Sequence, residues 1–308
     1  MNRFNYRFWL KNMKQKITPL VSIFMITYNH ENFISQALEG VLMQQVNFEY
    51  EIVLGEDFST DNTRKIILEY AQKYPNRFKL ILHDKNVGPM VNEKIVMNSC
   101  TGKYIAMCEG DDYWIDSQKL QKQVDFLEAN SAYAGTAHQS TILIDNKESR
   151  VFRENVPTEI TVHDLIGPRL FHTASVMFRT SVLDLFLKSP AVLSGDRLLN
   201  FCTVFTGKIR FSDDIMCVYR LHEAGISSNA TLEQMKLDLN SVSYLKKIYP
   251  SFPKFHYLSY VYYTIVFSKD ASLIQKLYYR LLSFIYSFSY FPENIKIIVR
   301  NLATRIRR

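Results

Sequence analysis

VSIFMIT, residues 21–27, is a continuous apolar run rich in β-branched side chains, the pattern of a strand buried on both faces. Strands of that kind belong to parallel sheets, whose crossovers are helices. The chain around it alternates accordingly. Helical pattern occupies about 31–45, and EIVLGED at 51–57 reads as a second strand. STDN at 59–62 offers N-caps for an amphipathic helix to about Tyr74. FKLILH at 78–83 reads as a third strand, helical pattern returns near 89–100, and KYIAMC at 103–108 reads as a fourth strand. Ser117 or Asp116 is placed to cap a helix through about Asn130, with Leu120, Val124 and Leu127 on one face. Alternation at this length predicts an α/β fold with a mainly parallel open sheet and flanking helices.

The second half is less regular. Apolar segments at 133–144, 172–179 and 209–219 are expected as strands, added antiparallel. From about 231 the pattern is helical and rich in aromatics, in the stretches SYLKKIYPSFPKFHYLSYVYYTIVFSKD, ASLIQKLYYRLLSFIYSFSYF and ENIKIIVRNLATRIRR. Lys269 and Asp270 break the first apolar run short of a spanning length, and Lys276 and Arg280 sit inside 271–291. An interfacial or packed helix is therefore expected there, not a transmembrane one. The division is a basic N-terminal extension at 1–19, a body at 20–230 and a C-terminal helical appendage at 231–308.

Of 308 residues, 47% are apolar and 22% charged, a balance that supports a packed core and excludes wholesale disorder. Cys100, Cys108, Cys202 and Cys217 form no CxxC pair and no metal-finger spacing, so they read as reduced, mostly buried thiols of a cytosolic protein. No small-residue cleavage site follows the basic N-terminus, so no signal peptide is expected. Charge is unevenly spread. Residues 1–16 carry five Lys/Arg and no acid, and 231–308 carry twelve Lys/Arg against four Asp/Glu. With an overall +7, the body at 17–230 is left at −6. An acidic body with basic ends argues against nucleic acid as partner and suits a site for cations, with ends able to touch anionic lipid.

In an open parallel sheet, ligands bind beyond the carboxyl ends of the strands. Here those ends carry Thr27, Tyr28, Asn29 and His30; Glu56 and Asp57; His83, Asp84, Lys85 and Asn86; and Glu109, Gly110, Asp111 and Asp112. The first turn has no GxGxxG, and no GxxxxGK[ST] occurs, so dinucleotide and P-loop fingerprints are absent. An anionic rim repels a diphosphate unless a cation intervenes. Glu109, Asp111 and Asp112 offer hard oxygen ligands suited to Mg²⁺ or Mn²⁺, and Gly110 lets backbone approach a ligand closely. Taken alone, EGDD is also an ordinary acidic turn.

The ordered set TYNHENFISQALEGVLMQ, EIVLGEDFSTDNT, NVG at 86–88 and GKYIAMCEGDDYW resembles the family 2 glycosyltransferases of the GT-A fold. The resemblance covers about 20–130 well and 131–230 more loosely. It implies a GT-A-like fold, a nucleotide-sugar donor, a divalent metal and inversion at the anomeric carbon. It also makes 20–130 the nucleotide-sugar binding half and 131–230 the acceptor side of the catalytic domain. Tyr28 would flank the nucleobase, with Thr27 and Asn29 shaping its pocket, and Glu56 and Asp57 would contact base and ribose. Glu109 to Asp111 correspond to the DxD motif, with Asp111 the main metal ligand and Glu109 facing ribose or metal. Glu109 replaces the usual first Asp, Phe58 a common Gly, and Asn92, Glu93 and Lys94 stand where the family often has Ala-Arg-Asn.

SGDRLL at 194–199 resembles the segment that supplies the general base, which makes Asp196 the candidate for the acceptor hydroxyl proton; an N-terminal helix cap is the structural alternative. YRLHEAGIS at 219–227 is similar to a loop that closes over the donor, with His222 as metal ligand and Arg220 at the diphosphate. His172 and Thr173 are assigned to the acceptor side, Trp114 either packs beside the metal loop or flanks the acceptor, and His30, His83, His138 and His163 receive no role. The expected protein is an inverting, metal-dependent glycosyltransferase for a glycan or lipid-linked acceptor, cytoplasmic and peripheral at the inner face of the cell membrane through 231–308. A non-catalytic nucleotide-sugar binding module is the first rival. A sugar nucleotidyltransferase is the second, disfavoured because TYNHEN stands where such enzymes carry a glycine-rich basic loop.

Overall fold

The computed structural model describes residues 18–144, 147–222, 225 and 229–288. The N-terminal basic run, most of 223–228 and the segment ENIKIIVRNLATRIRR lie outside the described residues. The opening run forms β1 (Val21–Thr27), hydrogen-bonded in parallel on one side to β2 (Tyr50–Glu56) and on the other to β4 (Tyr104–Met107). β3 (Phe78–Leu82) extends the sheet beyond β2. The crossovers are α1 (Ile34–Leu42), α2 (Thr63–Lys73) and α3 (Pro89–Ser99). After β4 come β5 (Tyr113–Trp114), α4 (Lys119–Ala129), β6 (Tyr133–Ile144), β7 (Lys147–Val151) and β8 (Glu159–Ile160). They are followed by β9 (Met177–Arg179), α5 (Leu183–Phe186), α6 (Gly195–Thr206) and β10 (Lys208–Leu221). The sheet order is β3-β2-β1-β4-β9-β6-β10-β5, with β7 on β6 and β8 on β10.

The period of β1 explains the layering. Ile23 and Met25 point into one core with Ile34, Leu38 and Val41 of α1 and Leu120, Val124 and Leu127 of α4. Phe24 points into the other, with Val96 and Met97 of α3 and Leu198 and Phe201 of α6. Alternate residues of one strand thus seed two apolar layers, which is why VSIFMIT carries no polar face beyond Ser22. The sheet is mainly parallel. β6 and β10, expected as antiparallel additions, are parallel to each other along their length. Only the short β9 between β4 and β6 runs against both neighbours. The 172–179 segment is strand only over Met177–Arg179, because Thr173–Ser175 forms a 3₁₀ turn held by the Ala174 N–H donating to His172 Nδ1. Of the caps expected at 59–62, Asn62 takes the N-cap position without a side-chain cap bond, and Asp61 just before it accepts from the Thr63 N–H at 2.9 Å.

The C-terminal region divides. α7 (Leu232–Lys236), α8 (Leu239–Ile248) and α9 (Lys254–Ile265) pack on the body. Leu245, Phe252, Tyr257, Val261 and Ile265 are buried in the same core as Phe24 and Phe201. α10 (Leu273–Phe288) has no buried residue. Among the described residues, no helix is long and apolar enough to cross a membrane.

Candidate active site

The carboxyl ends of β1, β2 and β4 form one rim. The Asp57 N–H donates to Thr27 O at 3.1 Å, and the Gly110 N–H donates to Ile26 O at 3.0 Å, so both acidic loops hang on the end of β1. A β-carbon at Gly110 would lie 2.7 Å from Thr27 Oγ1 and 2.8 Å from Thr27 Cβ, so only glycine lets the loop after β4 come this close.

The two acidic groups on this rim are held differently. Glu56 is fully buried, accepts the Ser59 N–H and is paired with the Arg64 guanidinium, which also donates to His83 O. Asp57 accepts the N–H groups of Val87 at 2.7 Å and Gly88 at 2.9 Å, fixing the loop that carries the exposed Asn86. Tyr28 stands exposed above them. Asn29, at φ 54°, turns its Oδ1 to the Thr60 N–H.

After β4 the carboxylates crowd. His222 Nε2 donates to Asp111 Oδ2 at 3.2 Å, and His30 Nε2 lies 3.8 Å from the same oxygen. Burial pushes the Asp111 carboxyl up, but the hydrogen bond from His222 and the charge of His30 outweigh it and hold it below its ordinary value. His30, given no role from sequence, is therefore part of the cluster; its place directly after the TYN of β1 was the available signal. Burial, with the charges of Asp111 and Asp196, pushes the Glu109 carboxyl up to about 8. Asp112 is pushed well up by burial and by Asp111 and Glu109.

Ligand atoms of Glu109, Asp112 and His172 lie within 4.8 Å of one another. His172 Nδ1 accepts the Ala174 N–H, so Nε2 carries the proton and donates to Asp112 Oδ2 at 3.3 Å. Burial beside Arg169 lowers His172 to about 3, so the ring is a neutral prop for Asp112 in this arrangement. Asp112 Oδ1 accepts the Arg220 N–H at 2.9 Å, while the Arg220 guanidinium donates to Asp111 O and Gln36 Oε1 and lies over Tyr113. Arg220 thereby ties the loop after β4 to β10 and α1. Thr173 is buried in the turn behind His172. Trp114, expected beside the metal loop or the acceptor, is enclosed in the core with its Nε1–H donated to Ala174 O at 2.9 Å, so it packs beneath the loop and lines no open surface.

Asp196 sits in the first turn of α6 and does not cap it. Its two oxygens meet Arg169 Nε at 2.9 Å and Arg169 NH2 at 3.3 Å, a two-point fork that fixes the carboxylate plane. Glu93 closes the group: a β-carbon on Gly195 would lie 2.4 Å from Glu93 Oε2. Burial and the charge of Asp196 push Glu93 up to about 8. Arg169 was not singled out from sequence, because it stands in no motif, and Glu93 was noted only as a departure from the family's Ala-Arg-Asn; only the fold brings them to Asp196. Leu165, Pro168, Phe171 and Asn200 line a cleft against Arg169 and Asp196.

The donor set fits a divalent cation. Glu109 and Asp112 supply hard oxygens and His172 a ring nitrogen, and these ligand atoms lie within 4.8 Å of one another. An α/β sheet with an acidic, histidine-flanked rim after its first and fourth strands is the arrangement of a GT-A-type nucleotide-sugar fold. The family model described as glycosyl transferase family 2 matches residues 22–184. The chain belongs to that family.

Several relatives are similar over much of the body. An uncharacterized protein of Mycobacterium bovis is 34% identical over 219 residues, 70% of this chain and 63% of that protein. The match thus spans less than two thirds of that relative's length. WfgD of Escherichia coli, a UDP-Glc:α-D-GlcNAc-diphosphoundecaprenol β-1,3-glucosyltransferase, is 29% identical over 212 residues, 68% of this chain and 80% of that one. In fold, the chain resembles Staphylococcus aureus TarS 1–349 in complex with UDP-GlcNAc, with TM-score 0.58 at 16% identity over 86% of this chain and 88% of that one. It also resembles the mannosyltransferase PcManGT of Pyrobaculum calidifontis in complex with GDP-Man and Mn²⁺, with TM-score 0.54 at 14% identity over 96% and 85%.

Proposed function

We propose that this chain is a metal-dependent, inverting glycosyltransferase that moves a sugar from a nucleotide-diphosphate sugar to a hydroxyl of a glycan or lipid-linked glycan. The observation that carries the reading is the acidic cluster after β4, where ligand atoms of Glu109, Asp112 and His172 lie within 4.8 Å of one another and Asp111 accepts from His222 at 3.2 Å. The family and the donor-bound complexes of TarS and PcManGT support the donor class. The lipid-linked substrate that names WfgD, a GlcNAc-diphosphoundecaprenol, supports the acceptor class.

Asp111, Glu109 and His222 would hold Mn²⁺ or Mg²⁺, which when bound supplies positive charge to the departing diphosphate. Tyr28, Asn29 and the loop pinned by Asp57 would hold the nucleoside, and Thr27 and Gly110 let it approach the sheet. Asp196, oriented by Arg169, would accept the acceptor hydroxyl proton as the oxygen bonds to the anomeric carbon. The electron pair of the breaking C–O bond leaves with the nucleoside diphosphate. Arg220, His172 and Asp112 position the acidic loop, and the basic 231–308 region would keep the enzyme peripheral at an anionic cytoplasmic membrane face.

The test is donor turnover by the purified chain with UDP- and GDP-sugars, with and without Mn²⁺. Asp111→Ala and Asp196→Ala should each lower turnover by at least about 100-fold. Full turnover in both variants sinks the reading. Donor binding without turnover in the unaltered chain favours the binding-module alternative.

A further inference from the structure

Helix α10 departs from every other helix on the body. Leu273, Ile274, Leu277, Tyr278, Leu281, Phe284, Ile285 and Phe288 are all between 49% and 80% exposed. At 3.6 residues per turn these eight side chains fall within one arc of about 140°. The opposite side is occupied. Tyr279 and Tyr286 stack on Tyr262, Tyr286 also stacks on Phe255, and Ser259 Oγ donates to Ser283 O at 2.8 Å. α10 is therefore seated on α9 by one side and turns an unbroken apolar arc outward. Lys276 and Arg280 fall just beyond one edge of that arc, and α10 contains no acidic residue.

A packed helix has no use for this pattern, because its apolar arc faces away from the core. A second copy of the chain is a poor occupant. Pairing the arcs would bring two Lys276–Arg280 edges together within two regions that each carry twelve Lys/Arg against four Asp/Glu. A surface that is apolar inside and anionic outside satisfies both features, since the arc enters the acyl boundary while the long cationic side chains reach the headgroups. The sixteen described residues, roughly 24 Å of helix, suit a position lying flat in such an interface. We infer that the Leu273–Phe288 helix is an in-plane membrane anchor whose outward apolar arc inserts into an anionic lipid bilayer. This extends the peripheral location proposed above to a specific face and is independent of the sugar-transfer chemistry.

Flotation of the full chain with vesicles of phosphatidylcholine containing phosphatidylglycerol tests the anchor. The unaltered chain should float with these vesicles and less with phosphatidylcholine alone. The combined variant Leu277→Glu, Leu281→Glu, Phe284→Glu should lose recovery by about tenfold or more, since it replaces three inserted apolar groups with charge. All three positions are exposed, so its thermal midpoint and soluble donor turnover should match the parent, which separates this outcome from any failure of the catalytic reading. As a second readout, a Leu281→Cys variant labelled with a polarity-sensitive dye should shift to the blue on adding vesicles; the four native cysteines are buried. Equal flotation of parent and triple variant overturns the inference. So does a lipid-free dimer that the triple variant converts to monomer, which would make a second copy the occupant. A dye already blue-shifted in monomeric protein without lipid also overturns it, by showing the arc covered within the chain.

Discussion

The carboxylates at the end of β2 and those following β4 share one rim and one chemistry, yet the protein treats them in opposite ways. Glu56 is matched to Arg64 and the Ser59 N–H, and Asp57 to two backbone N–H groups. Every charge there has a fixed partner, so the group behaves as a strut. After β4, Glu109, Asp111 and Asp112 stand together, and Glu109 is held against its own ionisation by burial and like charge. That crowd is tolerable only where a cation or protons offset it, which is the signature of a working site. Position on the rim therefore does not separate the two groups, and neither does pairing alone, since Asp111 and Asp112 have partners in His222, His172 and the Arg220 N–H; the difference is the like charge gathered around Glu109.

The widest separation should come from Arg64→Ala. It leaves Glu56 buried and without its cationic partner, and breaking such a pair costs about 3 kcal/mol when, as here, the arginine keeps some access to water. Chemical denaturation should show this as a lower midpoint at unchanged slope. A variant that keeps its stability but loses donor turnover would break the contrast, by moving the β2 end into the chemistry.

Much of this was legible beforehand, and the reason is local. β1, β2 and β4 are buried on both faces, so their apolar runs stand out, and the boundaries of β1 coincide with the expected 21–27. The placement of Asp111 beside β1 followed from the rule that ligands sit beyond strand ends. What could not be read was pairing across the chain. The pairing of Glu56 was hidden because Arg64 is eight residues on and on a helix, and the enclosure of Trp114 depends on Ala174 and Lys119. Arg169 and Glu93 reach Asp196 only through the fold. The exposed arc of α10 was visible as apolar sequence but not as outward-facing, since that depends on which side α9 occupies.

Glu93 offers a smaller, pH-dependent test of the same contrast. Its folded value is about 8 against an ordinary 4.5, so the folded protein keeps a proton that the unfolded chain gives up as pH rises from 4.5. Its contribution is intact below pH 4.5 and is lost progressively as pH rises to about 8. Glu93→Gln should therefore match the parent near pH 4.5 and exceed it in stability above pH 8 by at least about 1.4 kcal/mol, the worth of a tenfold change in proton affinity. Thermal midpoints across pH 5 to 9 give the slope. A loss of stability at neutral and higher pH would mean that Glu93 is paired like Glu56.

Phe58 joins the two regions' logic at the scale of one backbone angle. It stands at φ 61° between the strut carboxylates and Thr60, where the family commonly has Gly, and its half-exposed ring lies 5.5 Å from the Arg64 guanidinium. A left-handed conformation costs a non-glycine residue about 1–2 kcal/mol. Glycine removes that cost but gains freedom in the unfolded chain, about 0.4–1 kcal/mol, and gives up the ring's contact with Arg64, about 0.5 kcal/mol. The two sides nearly cancel, so Phe58→Gly should leave stability within about 1 kcal/mol of the parent. Phe58→Ala keeps the strained angle and loses the ring, so it should fall about 1 kcal/mol below the glycine variant. Denaturation midpoints of the pair isolate backbone strain from ring contact. Were the alanine variant the more stable of the two, the left-handed turn would carry no strain, and the ring's contact with Arg64 would be what the native residue supplies.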